Sequence, residues 1–178
     1  VDSVSYWATE YHLDGFRFDL MGLHDLETMK QIEAAVHAIN PNAIIYGEGW
    51  TMGSTIDGSA QANQGNISKI PVTGNAAGSV AVFNDAIRDG LKGSTFQKDS
   101  QGYISGNYSG MTGQVQFGIR GGTGAGPGWT VKNAAVMNYM SAHDNHTLWD
   151  KLALSNPNNT VEERLAMNRL GAAIIMIS

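Results

Sequence analysis

The chain has 178 residues, a formal charge of −5 and 42% hydrophobic residues, with no cysteine. These values suit one globular domain with a sizeable core, and they exclude a disulfide framework and any cysteine-based metal site. An acidic balance without a basic patch argues against nucleic acid as a partner, and no apolar run reaches the ~18 residues of a membrane span.

Val4, Trp7 and Tyr11 recur at helical spacing, which predicts a helix ending near His12, with Trp7 in the core. The start, Val1 to Trp7, lacks the basic and apolar regions of a signal peptide. Asp14-Gly15-Phe16-Arg17-Phe18-Asp19 then reads as a strand that continues to Leu20. Its alternation puts Arg17 and Asp19 on one face. A carboxylate and a guanidinium side by side at a strand end must pair or face a polar ligand.

Asp25 is placed to cap a helix whose stripe is Leu26, Met29, Ile32, Val36 and Ile39. Asn40-Pro41-Asn42 ends it. Ala43 to Tyr46 follows as a near-continuous apolar strand, expected to be buried on both faces. Strand, helix, strand with short links makes a βαβ unit with a right-handed crossover. This second strand ends on Glu48, between Tyr46 and Trp50.

Residues 49–78 and 93–128 read as long Gly-rich loops. Between them lie a strand from Ser79 to Phe83 and a helix from Asn84 to Leu91. A fourth strand is predicted from Ala134 to Ser141, ahead of His143-Asp144-Asn145. A helix from His146 to Leu154 would then place Trp149 in the core. Thr160 with Glu163 forms a capping box for a last helix. Ile174 to Ile177 reads as the start of a fifth strand. The gene product is expected to be longer at both ends. Strand–helix alternation indicates α/β with parallel strands, and long loops after strands suit the ligand-binding face of a βα barrel.

Asp19, Glu48 and Asp144 thus stand at or just past the carboxyl ends of strands, where α/β folds bind ligands. Neighbouring parallel strands lie ~4.8 Å apart. Retaining glycoside hydrolysis needs two carboxyls ~5–5.5 Å apart. Arg17 beside Asp19 favours an ionised nucleophile. Aromatic neighbours around Glu48 favour a protonated acid.

Asp14 to Asp19, Gly47-Glu48-Gly49-Trp50 and His143-Asp144-Asn145 resemble the three acid-bearing segments of alpha-amylase superfamily glycoside hydrolases. Leu20-Met21-Gly22, Tyr46 to Trp50, Phe83-Asn84-Asp85 with Arg88-Asp89, and His143 to Leu152 narrow the resemblance to type I pullulanases, which debranch α-1,6-linked glucans. It runs from Tyr6 to Ile177.

The resemblance implies a partial (β/α)8 barrel, about strands four to seven with the start of the eighth, in one domain fragment spanning residues 1–178. It implies Asp19 as nucleophile, Glu48 as acid/base and Asp144 as the group holding the sugar at the cleavage point. Arg17 and His143 would bind that sugar, Trp50 a neighbouring glucose, and Asn84 and Asp85 would line the cleft. The implied partner is an α-glucan, with no cofactor and no metal. The family's Asn-His segment on the preceding strand is absent, so the isolated chain is expected to be inactive and prone to aggregate.

The same three acids also serve isoamylases, branching enzymes and α-1,4 amylases. A non-catalytic sugar-binding barrel would not need all three. A metal site built on Asp19, Glu48 and Asp144, or on His143, Asp144 and His146, is disfavoured by Arg17 and by the lack of another His cluster. Gly121 to Gly126 lacks the Gly-Lys-Ser/Thr ending of a phosphate loop and reads as surface loop. Four Asn-X-Ser/Thr matches, one at Asn145, are attributed to chance in polar loops.

Overall fold

The computed structural model of the chain describes residues 1–71, 73–74, 80–123 and 135–178. Within them the elements run α1 (Asp2–Tyr11), β1 (Gly15–Phe18), α2 (Leu26–Ile39), β2 (Ile44–Gly47), β3 (Ala81–Asn84), α3 (Asp85–Lys92), α4 (Tyr108–Ile119), β4 (Val136–Asn138), α5 (Leu148–Ser155) and α6 (Val161–Met176). The strands form one sheet in the order β1-β2-β3-β4. β1 pairs parallel with β2, setting Arg17 opposite Tyr46 and Phe18 opposite Gly47, and β2 pairs parallel with β3. The protein is therefore α/β with a parallel sheet, as the βαβ spacing required.

Two compact units divide the chain: Val1–Phe83 with Ala125–Met137, and Asn84–Gly124 with Asn138–Ser178. In the first, Met29, Ile32 and Val36 of α2 pack with Ile45, Val80 and Val82 of the sheet region, joined by Met21, Ile67 and Ile70. The Asp25 carboxylate caps α2 as its sequence position demanded, accepting from the Thr28 backbone N–H at 2.7 Å and from the Thr28 hydroxyl at 2.7 Å. These two bonds hold the Asp25 pKa below the usual carboxylate value.

The α2 stripe also carries polar residues. Glu33 and His37 are buried beside Val36. His37 Nε2 lies 2.9 Å from the Ala43 carbonyl, which only accepts, so that nitrogen carries a proton. His37 Nδ1 lies 2.9 Å from Glu33 Oε1, and Thr73 donates its N–H and its hydroxyl to the same carboxylate at 2.7 and 2.8 Å. This network ties the end of α2 to the entry of β2 and to the loop at Thr73, and it satisfies polar groups that would otherwise be costly to bury.

In the second unit, Ile87 and Leu91 of α3, Val115 of α4 and Leu148 and Leu152 of α5 form the core with Ile104, and Met167, Ile174 and Ile175 of α6 pack against it. Three expectations fail here. Residues 108–119, read as loop for their glycines, form α4. An added Cβ at Gly118 would lie 2.6 Å from Ile87 Cβ, and one at Gly90 3.1 Å from a Val115 methyl. The glycines let α3 and α4 approach closely rather than marking a loop. The expected strand at Ile174 to Ile177 is the end of α6, because Met167, Gly171 and Ile174 follow a helical period onto the core. Trp149 is 36% exposed, with the Arg164 guanidinium 5.4 Å from its ring.

Trp7 is likewise half exposed, meeting Tyr6 edge-on and Tyr11 at a tilt on α1, whose only buried residue is Ala8. β2 is not buried on both faces, since Ile44 is 52% exposed. The expected strand starts at Ser79 and Ala134, and residues 124–126 of the Gly-rich run, lie outside the described residues. The Thr160–Glu163 capping box stands, with both reciprocal bonds present. No helix among the described residues is long and apolar enough to cross a membrane.

Candidate active site

Asp19 and Glu48 follow the last residues of two paired strands. The ladder continues past β1 and β2: Glu48 donates its N–H to the Phe18 carbonyl at 3.1 Å, and Gly22 donates to the Glu48 carbonyl at 2.8 Å. Both contacts depend on missing side chains. A Cβ at Gly47 would sit 2.5 Å from the Phe18 carbonyl oxygen, and one at Gly22 would sit 2.0 Å from that of Trp50. Leu20 turns the chain with φ 47, and its N–H donates to Glu48 Oε2 at 2.8 Å. The strand expected to reach Leu20 thus stops at Phe18, and the turn that replaces its end holds the second acid.

Arg17 joins the two carboxylates. Its Nη1 is paired with Asp19 Oδ1 and its Nη2 lies 3.3 Å from Glu48 Oε1. The same guanidinium lies 5.8 Å from the centre of the Phe83 ring, which meets Tyr46 edge-on at 5.5 Å. Aromatic groups therefore pack behind Arg17, and Glu48 is contacted by the Arg17 guanidinium and the Leu20 N–H. The Asp19 side chain is 68% exposed and that of Glu48 only 9%. One acid is open to an incoming ligand; the other is held in place with few alternatives. Trp50 is half-buried and belongs to the same turn cluster through its carbonyl beside Gly22.

The remaining residues singled out in the sequence belong to the second unit. His143 Nε2 lies 3.4 Å from Asp144 Oδ1, and both side chains are exposed. Asp85 opens α3 and is half-buried. Asn84 is different. It is fully buried, its amide donates to the Gly118 carbonyl at 3.0 Å and to Asn138 Oδ1 at 2.8 Å, and its oxygen caps α3 at Ile87. Those bonds hold the Asn84 side chain to α4 and to Asn138 within the second unit, so its amide is taken up by protein partners.

Sequence reading missed a second polar cluster. Arg88 makes a two-point contact with the Asp89 carboxylate, at 2.6 and 3.0 Å, and donates to the Tyr139 hydroxyl at 2.8 Å. Burial works against its charge, but Asp89 and Tyr139 outweigh that and raise its pKa. Burial pushes the Tyr139 hydroxyl up as well. The signal was present in Arg88-Asp89, although adjacency in sequence does not reveal a tyrosine 51 residues away.

No protein-family model matches the chain. It is 34% identical over 184 residues to the pullulanase of Bacillus subtilis (strain 168), covering 99% of this chain and 24% of that protein. Its fold matches the crystal structure of the Bacillus subtilis type I pullulanase complexed with maltose at a TM-score of 0.90 and 33% identity, over 98% of this chain and 24% of that one. The pullulanase of Paenibacillus barengoltzii, complexed with maltohexaose and alpha-cyclodextrin, matches with a TM-score of 0.90 and 42% identity, over 99% and 27%. By sequence and by fold, the chain is a relative of one segment of the pullulanases, which are glycoside hydrolases, and it spans about a quarter of their length.

Proposed function

We propose that this chain is the acid-bearing part of a longer debranching enzyme, a retaining glycoside hydrolase that cleaves α-1,6-glucosidic bonds in pullulan, amylopectin or glycogen. The observation that carries the reading is the bridge from Asp19 through Arg17 to Glu48 at the ends of two paired parallel strands. Neighbouring parallel strands lie ~4.8 Å apart, a spacing that supports the ~5–5.5 Å carboxyl separation that retention requires. The pullulanase relatives support the substrate class, as does the maltohexaose bound by the Paenibacillus barengoltzii protein.

In the first step Glu48 donates a proton to the glycosidic oxygen while the Asp19 carboxylate attacks the anomeric carbon. The carbon–oxygen bond to the leaving chain breaks and a glycosyl ester forms on Asp19. In the second step Glu48, now a carboxylate, takes a proton from water, and that water displaces Asp19. Arg17 neutralises charge between the two acids and orients both. Asp144 and His143 bind the hydroxyls of the sugar being cleaved, and Trp50 offers a ring to the next glucose. Asp85 lines the cleft. The four strands correspond to about strands four to seven of a (β/α)8 barrel, whose ligand sites lie at the carboxyl ends of strands.

The test is substrate choice by the full-length protein that carries this chain. Pullulan, amylose and glycogen are supplied separately. Maltotriose released from pullulan supports the α-1,6 reading; release of sugar from amylose alone overturns it in favour of an α-1,4 enzyme.

A further inference from the structure

The long loop after Glu48 is shaped by buried amides of the first unit. Gln61 Nε2 donates to the Met52 and Ile56 carbonyls, each at 3.2 Å, and Asn66 Nδ2 donates to those of Gly58 and Gln61 at 2.7 and 3.0 Å. Amides are costly to bury without partners, so these bonds give the segment a defined course. It is joined to the chain that follows Asp19: Leu26 donates its N–H to the Ala60 carbonyl at 2.8 Å, and Ala62 donates to that of His24 at 2.9 Å. Gln64 carries the connection to the other side. Its N–H donates to the Gly49 carbonyl at 2.8 Å, and its Nε2 donates to the Phe83 carbonyl at 3.0 Å. Both partners adjoin the acids. Gly49 directly follows Glu48, and an added Cβ there would lie 2.3 Å from a Val82 methyl and 3.2 Å from the Gln64 nitrogen. Phe83 carries the ring against which the Arg17 guanidinium packs.

We propose that Gln64 is a positioning residue for proton transfer by Glu48: it ties the peptide after the acid to the strand whose ring backs Arg17, and so fixes where the Glu48 carboxyl meets the glycosidic oxygen. Its action runs through Gly49 and Phe83. A hydrogen bond to the leaving oxygen tolerates little displacement of the acid, and a shifted acid slows the steps that use it while leaving attack by Asp19 in place. The assignment rests on the debranching reading above.

The full-length protein and its Gln64→Met variant, which keeps the side chain's length and loses the Nε2 donor, are assayed on pullulan and on α-glucosyl fluoride. kcat/KM reports the steps up to formation of the glycosyl ester; fluoride departs without an acid, whereas the glucan leaving group needs Glu48. Gln64→Met is expected to lower kcat/KM on pullulan about tenfold, through kcat with KM within about twofold, and to change kcat/KM on the fluoride by less than about twofold. Should Gln64→Met unfold, Gln64→Glu, of the same size and also without that donor when ionised, is read by the same ratio. If the wild type hydrolyses pullulan but the variant matches it on both substrates, the positioning role is overturned and the enzyme reading stands. An equal fall on both substrates, or loss of folding in both variants, also overturns it, in favour of a purely structural role. A wild type that hydrolyses no α-glucan overturns the enzyme reading and the positioning role with it.

Discussion

Arg17 reaches across the β1–β2 boundary to place Nη2 3.3 Å from Glu48 Oε1. The contact matters because the same guanidinium also holds Asp19. Removing it would leave two neighbouring carboxylates without the charge between them. Arg17→Ala should therefore lower kcat/KM of the full-length protein by about 100-fold. Arg17→Lys should recover little of this, because an ammonium is a point charge and cannot meet both acids with a planar fork. Steady-state kinetics on pullulan check both, and activity within about threefold of wild type in Arg17→Ala would contradict the assigned role.

Gly22 lies where a side chain would collide with the Trp50 carbonyl. Gly22→Ala must displace either the turn after β1 or the chain after β2. A destabilisation of about 1–3 kcal/mol is expected, read as a lower midpoint in urea, together with reduced activity because the Leu20 bond to Glu48 belongs to the same turn. An unchanged midpoint would show that the turn relaxes freely.

These two relationships mark what the sequence made legible. Alternation in Phe16-Arg17-Phe18-Asp19 placed the cation and the acid on one face, and the α2 stripe with Asp25 fixed that helix nearly to the residue. Arg17 contacting Glu48 was hidden, because strand register, not local pattern, sets Arg17 opposite Tyr46. α4 was missed since glycine marks both a turn and a close helix crossing, and only the partner at Ile87 distinguishes them. Ile174 to Ile177 was misread because a short apolar run fits a strand or a buried helix end equally well. Asn84 looked like a cleft residue by its place after β3, but its amide is committed to Gly118 and Asn138.

Glu33 and His37 form the buried pair of the first unit. Glu33→Ala would leave both Thr73 donors without their acceptor and His37 Nδ1 without its hydrogen-bond partner. A loss of about 3–5 kcal/mol is expected, measured by denaturant unfolding. A loss below about 1 kcal/mol would mean that water replaces the carboxylate.

Lys92 is 2% exposed, and burial, helped by the nearby Arg88 and Lys151 charges, lowers its pKa from 10.5 to about 8. The folded state thus gives up this proton before the unfolded state does. Between about pH 8 and 10.5 the unfolded chain binds more protons, so stability rises with pH through that window on account of Lys92. Below pH 8 the ammonium is charged in both states and its burial costs stability. Lys92→Met should raise stability at pH 7 and flatten the rise between pH 8 and 10 relative to wild type. Parallel unfolding curves of the two proteins across that range would contradict this.

The nucleophile assignment can be read directly. A Glu48→Gln variant of the full-length protein is treated with an α-glucosyl fluoride, whose leaving group departs without an acid, while the second step lacks its base. The account predicts a glycosyl adduct that peptide mapping by mass spectrometry places on Asp19, and none when Asp19→Asn is added. An adduct on another residue, or turnover that survives Asp19→Asn, would contradict it.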